Sequence, residues 1–124
     1  MGRNVRVVAL VLVVLAAGCT SAVEKEARLK TGGDPGRGLQ LMNKYGCSAC
    51  HVIPGIDDSI GTKGPALRGV ASRPRIGADL PNTPENLIAW LMNPLRYDKY
   101  TEMPNQGITE PEARDIAACL YTLK

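Results

Sequence analysis

The stretch Cys47-Ser48-Ala49-Cys50-His51 constrains this chain more than any other, because it gathers two thiols and an imidazole within one turn of backbone. With Cys47 and Cys50 three apart, a helix beginning here would put both sulfurs on one face, able to add across the two vinyl groups of a haem, and would aim His51 at the iron. The adjacency of Cys50 and His51 is the informative part. Neighbouring side chains cannot comfortably converge on one small tetrahedral ion, but they can hold a broad macrocycle at its edge and its centre. The competing readings are half a zinc site, a thiol-disulfide switch, or two disulfides among the 4 cysteines. A zinc site needs four ligands, and Cys19 and Cys119 form no second close pair. A thioredoxin-like switch needs a βαβ context, which the glycine- and proline-broken sequence after His51 does not supply.

The N-terminus carries an address. Arg3 and Arg6 precede an apolar run from Val7 to Ala17, followed by Gly18-Cys19, the pattern of a secretory signal peptide over residues 1 to 18. Leu15-Ala16-Ala17-Gly18-Cys19 resembles a bacterial lipobox, in which the cysteine becomes the acylated first residue; Ala16 stands where a large aliphatic residue is usual, with Leu15 one place further back. An uncleaved anchor helix and a soluble periplasmic form are the alternatives, although the uncharged stretch from Val7 to Val23 lies at the lower edge of the roughly 17 to 25 residues a span requires. Each outcome leaves the domain outside the cytoplasm, on the periplasmic side of a membrane or at the cell exterior. Residues 19 to 33 are polar and charged, with few groups to bury, and are expected to form a lipid-anchored flexible tether spanning about 20 Å root-mean-square.

Removing residues 1 to 18 takes Arg3 and Arg6 and no acid from the 15 basic and 12 acidic side chains, leaving 13 against 12. Two haem propionates would make the mature part slightly negative, which argues against nucleic acid as a partner.

The domain is expected over residues 34 to 124. Asp34-Pro35 is an N-cap followed by proline at the first helical position, and Gly38, Leu41, Met42 and Tyr45 fall on one helix face, with Gly46 ending the helix just before the cysteine motif. From Val52 to Asp79 glycine and proline abound without a period, so a long loop is expected, of a kind that needs a ligand to organise it. Thr83-Pro84-Glu85 opens a helix apolar nearly all round through Leu87, Ile88, Trp90, Leu91 and Met92, and Asn93-Pro94 stops it. Thr109-Glu110-Pro111-Glu112 is a capping box for a last helix that places Ala113, Ile116, Ala117 and Leu120 on one stripe. No run alternates convincingly as a strand. The expectation is an all-α domain of three or four helices with long loops; the chain has no phenylalanine, and a covalent macrocycle would supply missing apolar mass.

His51 is the sole histidine, so this polypeptide cannot offer the iron two histidines. Met42 and Met92 lie at packing positions of helices. Met103 lies in a polar loop among Thr101, Glu102, Asn105 and Gln106, where a thioether on iron would explain a lone apolar side chain.

Taken together, the chain resembles a class I c-type cytochrome from Asp34 to Lys124. The resemblance rests on the Gly38 helix, Cys47-x-x-Cys50-His51, Gly64-Pro65-x-Leu67, Gly69 and Arg73, Asn93-Pro94, the Tyr97, Thr101 and Met103 loop, and the closing helix. It implies one haem c bound covalently by Cys47 and Cys50, with His51 and Met103 as axial ligands. It further implies that the Pro65 carbonyl fixes the free nitrogen of His51, that Arg73 and Thr101 bond propionates, that Trp90 lies against the haem near the methionine, and that Tyr97 braces the ligand loop. Where the family usually packs an aromatic residue of the closing helix on the first helix, this chain has Cys119, expected to be buried and inert, with Tyr121 or Met42 filling the gap.

The function implied is single-electron transfer without a small-molecule substrate, between redox proteins such as a terminal oxidase, a dehydrogenase or other cytochromes. Alternatives are a fixed haem subunit of a larger oxidoreductase, an open-site haem peroxidase or gas sensor, and a haem-free metal or thiol module.

Overall fold

A computed structural model describes residues 21 to 124; the expected signal peptide and the expected lipidation site Cys19 lie outside the described residues. Among the described residues four helices carry the architecture: α1 (Ala22–Thr31), α2 (Pro35–Lys44), α3 (Pro84–Met92) and α4 (Glu110–Thr122). Single 3-10 turns occur at Cys47–Ala49, Val70–Ser72 and Pro94–Arg96. A two-residue antiparallel ladder pairs Arg75 with Pro81 and Ile76 with Leu80. It is too short to show alternation in sequence. The described residues are otherwise helix and loop, and none of their helices is long and apolar enough to cross a membrane.

The closing helix α4 is the hub, packing against α1, α2 and α3. Its crossing with α2 is close because Gly38 has no side chain: a Cβ there would lie 2.0 Å from the Asp115 carbonyl oxygen and 2.8 Å from the Cys119 Cβ. Cys119 is buried, burial pushes its thiol up to about 11, and Met42, wholly buried, fills the space beside it in the core. The predicted stripe of α4 is buried, and so are Asp115 and Ala118. A second helix covers the flank that the sequence left to solvent.

That helix is α1, and where a flexible tether was expected over residues 19 to 33 the structure has a packed helix over Ala22–Thr31. Ser21 and Glu24 form a reciprocal capping box at its start, and Gly32, at φ 71°, closes its end in the left-handed region. Ala27 and Thr31, four apart and thus on one face, are buried at 2% and 1% exposure. Small size lets this face seat closely, while polar ends are satisfied: the Thr31 hydroxyl donates to the Ala27 carbonyl at 2.8 Å and accepts from the Gly33 amide at 3.1 Å. Arg114 of α4 donates to the Thr31 carbonyl at 3.0 Å. The composition resembles a linker because the seat is built from small and hydroxyl side chains instead of large apolar ones.

Asp115, within α4, ties that helix to the start of α2. Its carboxylate takes Arg37 through Nε at 2.9 Å and Nη2 at 3.0 Å, and accepts the Asp34 amide at 2.7 Å. Burial opposes its charge, but Arg37 and the Asp34 amide outweigh that cost and hold the carboxyl below its usual range.

Candidate haem site

Gly46, at φ 67°, turns the chain out of α2 into the 3-10 turn Cys47–Ala49. The Cys47 carbonyl then accepts from the Cys50 amide at 3.2 Å and the His51 amide at 3.0 Å. A tight turn, shorter than the helix expected from spacing alone, therefore presents the two thiols and the imidazole together. Cys47 and Cys50 are half-buried free thiols, and burial raises the Cys47 thiol.

His51 is held from two directions. Its Nδ1 lies 2.7 Å from the Pro65 carbonyl oxygen, and since a carbonyl only accepts, Nδ1 carries the proton and Nε2 keeps a free lone pair. The Gly64 backbone lies against the ring: a Cβ there would be 2.3 Å from Cε1 and 2.6 Å from Nδ1. The loop is in turn fastened to the cysteine segment, with the Gly64 amide donating to the Cys50 carbonyl at 2.8 Å and the Leu67 amide to the Val52 carbonyl at 2.8 Å. A stretch rich in glycine thus wraps the imidazole because no side chain would fit.

Met103 is half-buried in the loop between the Pro94–Arg96 turn and α4. Its amide donates to Thr101 Oγ1 at 3.1 Å, and its Sδ lies 3.2 Å from the indole Nε1 of Trp90. Trp90 is buried, and its ring packs on Gly77, whose φ of 57° leaves a hypothetical Cβ 2.6 Å from the indole. The structure so brings together His51 with Pro65, and Trp90 and Thr101 with Met103. Arg73 hydrogen-bonds the Ala66 carbonyl, and that of Arg68 at 3.2 Å, bracing the loop that follows Pro65. Tyr97 is exposed, with the Arg96 guanidinium 5.9 Å from its ring centre.

The residues suit a haem. The donor set comprises two thiols, an imidazole with its Nε2 free and a thioether, and the core is fringed by incompletely buried apolar side chains, among them Leu41, Ile56, Leu67, Leu80 and Met92. Among the described residues no cluster of three or more His, Cys, Asp or Glu is placed to hold a metal ion.

Three contacts had no sequence signal. They are Gln106 on the Tyr45 carbonyl at 3.0 Å, the Tyr45 hydroxyl on Glu112 at 2.8 Å, and the Asp115 cluster. Each joins residues more than 60 positions apart, beyond the reach of any local pattern.

Comparison with known proteins agrees with the geometry. The chain is 27% identical over 103 residues to a protein named cytochrome c-552 from Bradyrhizobium diazoefficiens, covering 83% of this chain and 88% of that one. It is 29% identical over 89 residues to cytochrome c oxidase subunit 2 of Alkalihalophilus pseudofirmus, covering 71% of this chain but only 25% of the relative. No solved structure matches. The Cytochrome c family matches residues 36–124, and with the paired thiols of Cys47 and Cys50 in place the chain belongs to that family, as a class I c-type cytochrome that binds haem c covalently and carries electrons.

Proposed function

We propose that this protein is a membrane-tethered monohaem carrier in which Cys47 and Cys50 hold the haem and His51 and Met103 are its axial ligands. The observation that carries this reading is the 2.7 Å contact of His51 Nδ1 with the Pro65 carbonyl, which fixes the ring and leaves Nε2 to bind iron. Haem, when bound, supplies a one-electron ferric/ferrous couple, and a thioether ligand favours the ferrous state and a positive potential. The protein's part is to attach, orient and shield. Arg73 and Thr101 are assigned to the propionate side, Trp90 to the methionine and Tyr97 to the ligand loop. Single electrons would pass between redox proteins such as a terminal oxidase, a dehydrogenase or another cytochrome, with no small-molecule substrate and no nucleic acid.

Lipidation at Cys19, on the periplasmic side of a bacterial membrane or the cell exterior, completes the proposal. With α1 folded onto the body, only Thr20 and Ser21 separate that cysteine from the first residue of α1, a reach of about 10 Å. Such a short link supports a second reading, a fixed haem subunit of a larger oxidoreductase, as does the likeness to part of an oxidase subunit. Isolation in mild detergent separates the two: a stoichiometric partner favours the subunit, and its absence the mobile carrier.

Carbon monoxide tests the carrier against an open-site peroxidase or gas sensor. The reduced protein should resist it, because Met103 occupies the sixth position; rapid binding would show an open iron.

A further inference from the structure

One set of contacts crosses from the haem-attachment segment to the ligand loop. Tyr45 stands two residues before Cys47, and Gln106 three residues after Met103. Gln106 Nε2 donates to the Tyr45 carbonyl at 3.0 Å. The Tyr45 hydroxyl donates to Glu112 Oε2 at 2.8 Å, and Lys44 Nζ lies 3.0 Å from Oε1. Glu112 is itself fixed as the third residue of the α4 capping box, accepting the Thr109 amide at 3.1 Å and the Thr109 hydroxyl at 2.8 Å. The loop after Met103 is otherwise weakly held: of residues 104 to 109 only Ile108 is buried.

We propose that Gln106 and the Tyr45–Glu112 pair are positioning residues for the Met103 thioether, a clasp that fixes the ligand loop to the haem-attachment segment and sets how readily the methionine leaves the iron. This rests on the ligation by Met103 proposed above. Three residues of chain reach at most about 10 Å, so with Gln106 seated on Tyr45 the excursion of Met103 is bounded. Tyr45 is a sound anchor because its own ring is gripped by Glu112 and its chain runs directly into Cys47. Segments with few buried contacts open locally, and each hydrogen bond that opening breaks lowers the population of the open form. The Gln106–Tyr45 bond is such a bond, made by the ligand loop itself, while the Tyr45–Glu112 pair also ties the end of α2 to the start of α4.

The test is imidazole binding to the ferric, haem-loaded protein, a reaction that must wait for the methionine to leave, followed through the loss of the methionine-to-iron absorption band. Gln106→Ala should accelerate the exchange about fivefold, the factor that corresponds to one ordinary hydrogen bond, and Tyr45→Phe should accelerate it in the same direction. Thr31→Val, which disturbs the α1 seat and touches none of the clasp residues, serves as the control: it should lower the denaturation midpoint while leaving the exchange rate within about twofold of the parent. Rates for Gln106→Ala and Tyr45→Phe that match the parent, or rates that simply follow global stability across all three variants, would overturn the clasp alone. A parent protein that binds imidazole without any slow step has no methionine to displace, and overturns the ligation and the clasp together.

Discussion

The indole Nε1 of Trp90 lies 3.2 Å from the Sδ of Met103, thirteen residues away. Sulfur has two lone pairs, so a thioether can accept this N–H with one and offer the other to iron. An N–H on the sulfur withdraws electron density, weakens the ligand's donation and so favours the ferrous state. Trp90→Phe keeps a ring over Gly77 but removes the donor. Its midpoint potential should fall by about 20 to 40 mV, the equivalent of a weak hydrogen bond for one electron. A potential that stays put or rises would show that the indole does not act on the sulfur.

Gly64 lies against His51 with no room for a methyl group. Gly64→Ala would drive a Cβ into the imidazole and pull Nδ1 from the Pro65 carbonyl. The expected outcome is a severalfold lower yield of covalently attached haem, seen by haem staining of a denaturing gel against total protein. Normal attachment with a normal spectrum would mean that the loop yields easily and does not orient the ring.

Glu112 gives a pH dependence with a definite sign. Its carboxyl is held down to about 2, first by the Thr109 amide, then by the Tyr45 hydroxyl, Lys44 and the Thr109 hydroxyl, against an ordinary value of 4.5. A depressed carboxyl contributes stability that is complete above the unfolded value and is lost as pH falls through the folded one. Denaturation midpoints should therefore drop between about pH 4.5 and about pH 2, and Glu112→Gln should flatten that drop. Asp34 and Asp115, also held low, leave a residual slope. Parallel curves for parent and variant would remove Glu112 from the account.

The α1 seat depends on one hydroxyl. In Thr31→Val the Gly33 amide loses its acceptor in a buried setting, at a cost of about 1 to 2 kcal/mol, and amide exchange in residues 22 to 31 should quicken ahead of the rest. Uniform protection across α1 and α4 in the variant would contradict a seat built on this contact.

The haem site was legible where chemistry is local. Cys47, Cys50 and His51 sit in one pentapeptide, Pro65 follows a glycine that the ring demands, and cap-then-proline signals marked the starts of α2 and α3 where they occur. What stayed hidden depends on the crossing of distant segments. α1 has almost no large apolar side chains, so although Ser21, Glu24 and Gly32 carry helix start and stop signals, no apolar stripe marks it as packed until the bare backbone of Gly33 and the carbonyl of Arg114 meet. Asp115 carried no signal in the sequence, because its partners Asp34 and Arg37 are about eighty residues away. Arg73 was expected on the propionates from the resemblance; the structure shows its guanidinium on the carbonyls of Ala66 and Arg68, contacts that spacing could not suggest.

The central claim is tested most directly by a spectroscopic redox titration of the haem-loaded parent beside Met103→Ala. The parent should show a single one-electron transition at positive potential with a methionine-to-iron band in the ferric state, and Met103→Ala should lose that band and shift to lower potential. If Met103→Ala keeps both the band and the midpoint, Met103 is not the ligand and the six-coordinate carrier described here is contradicted.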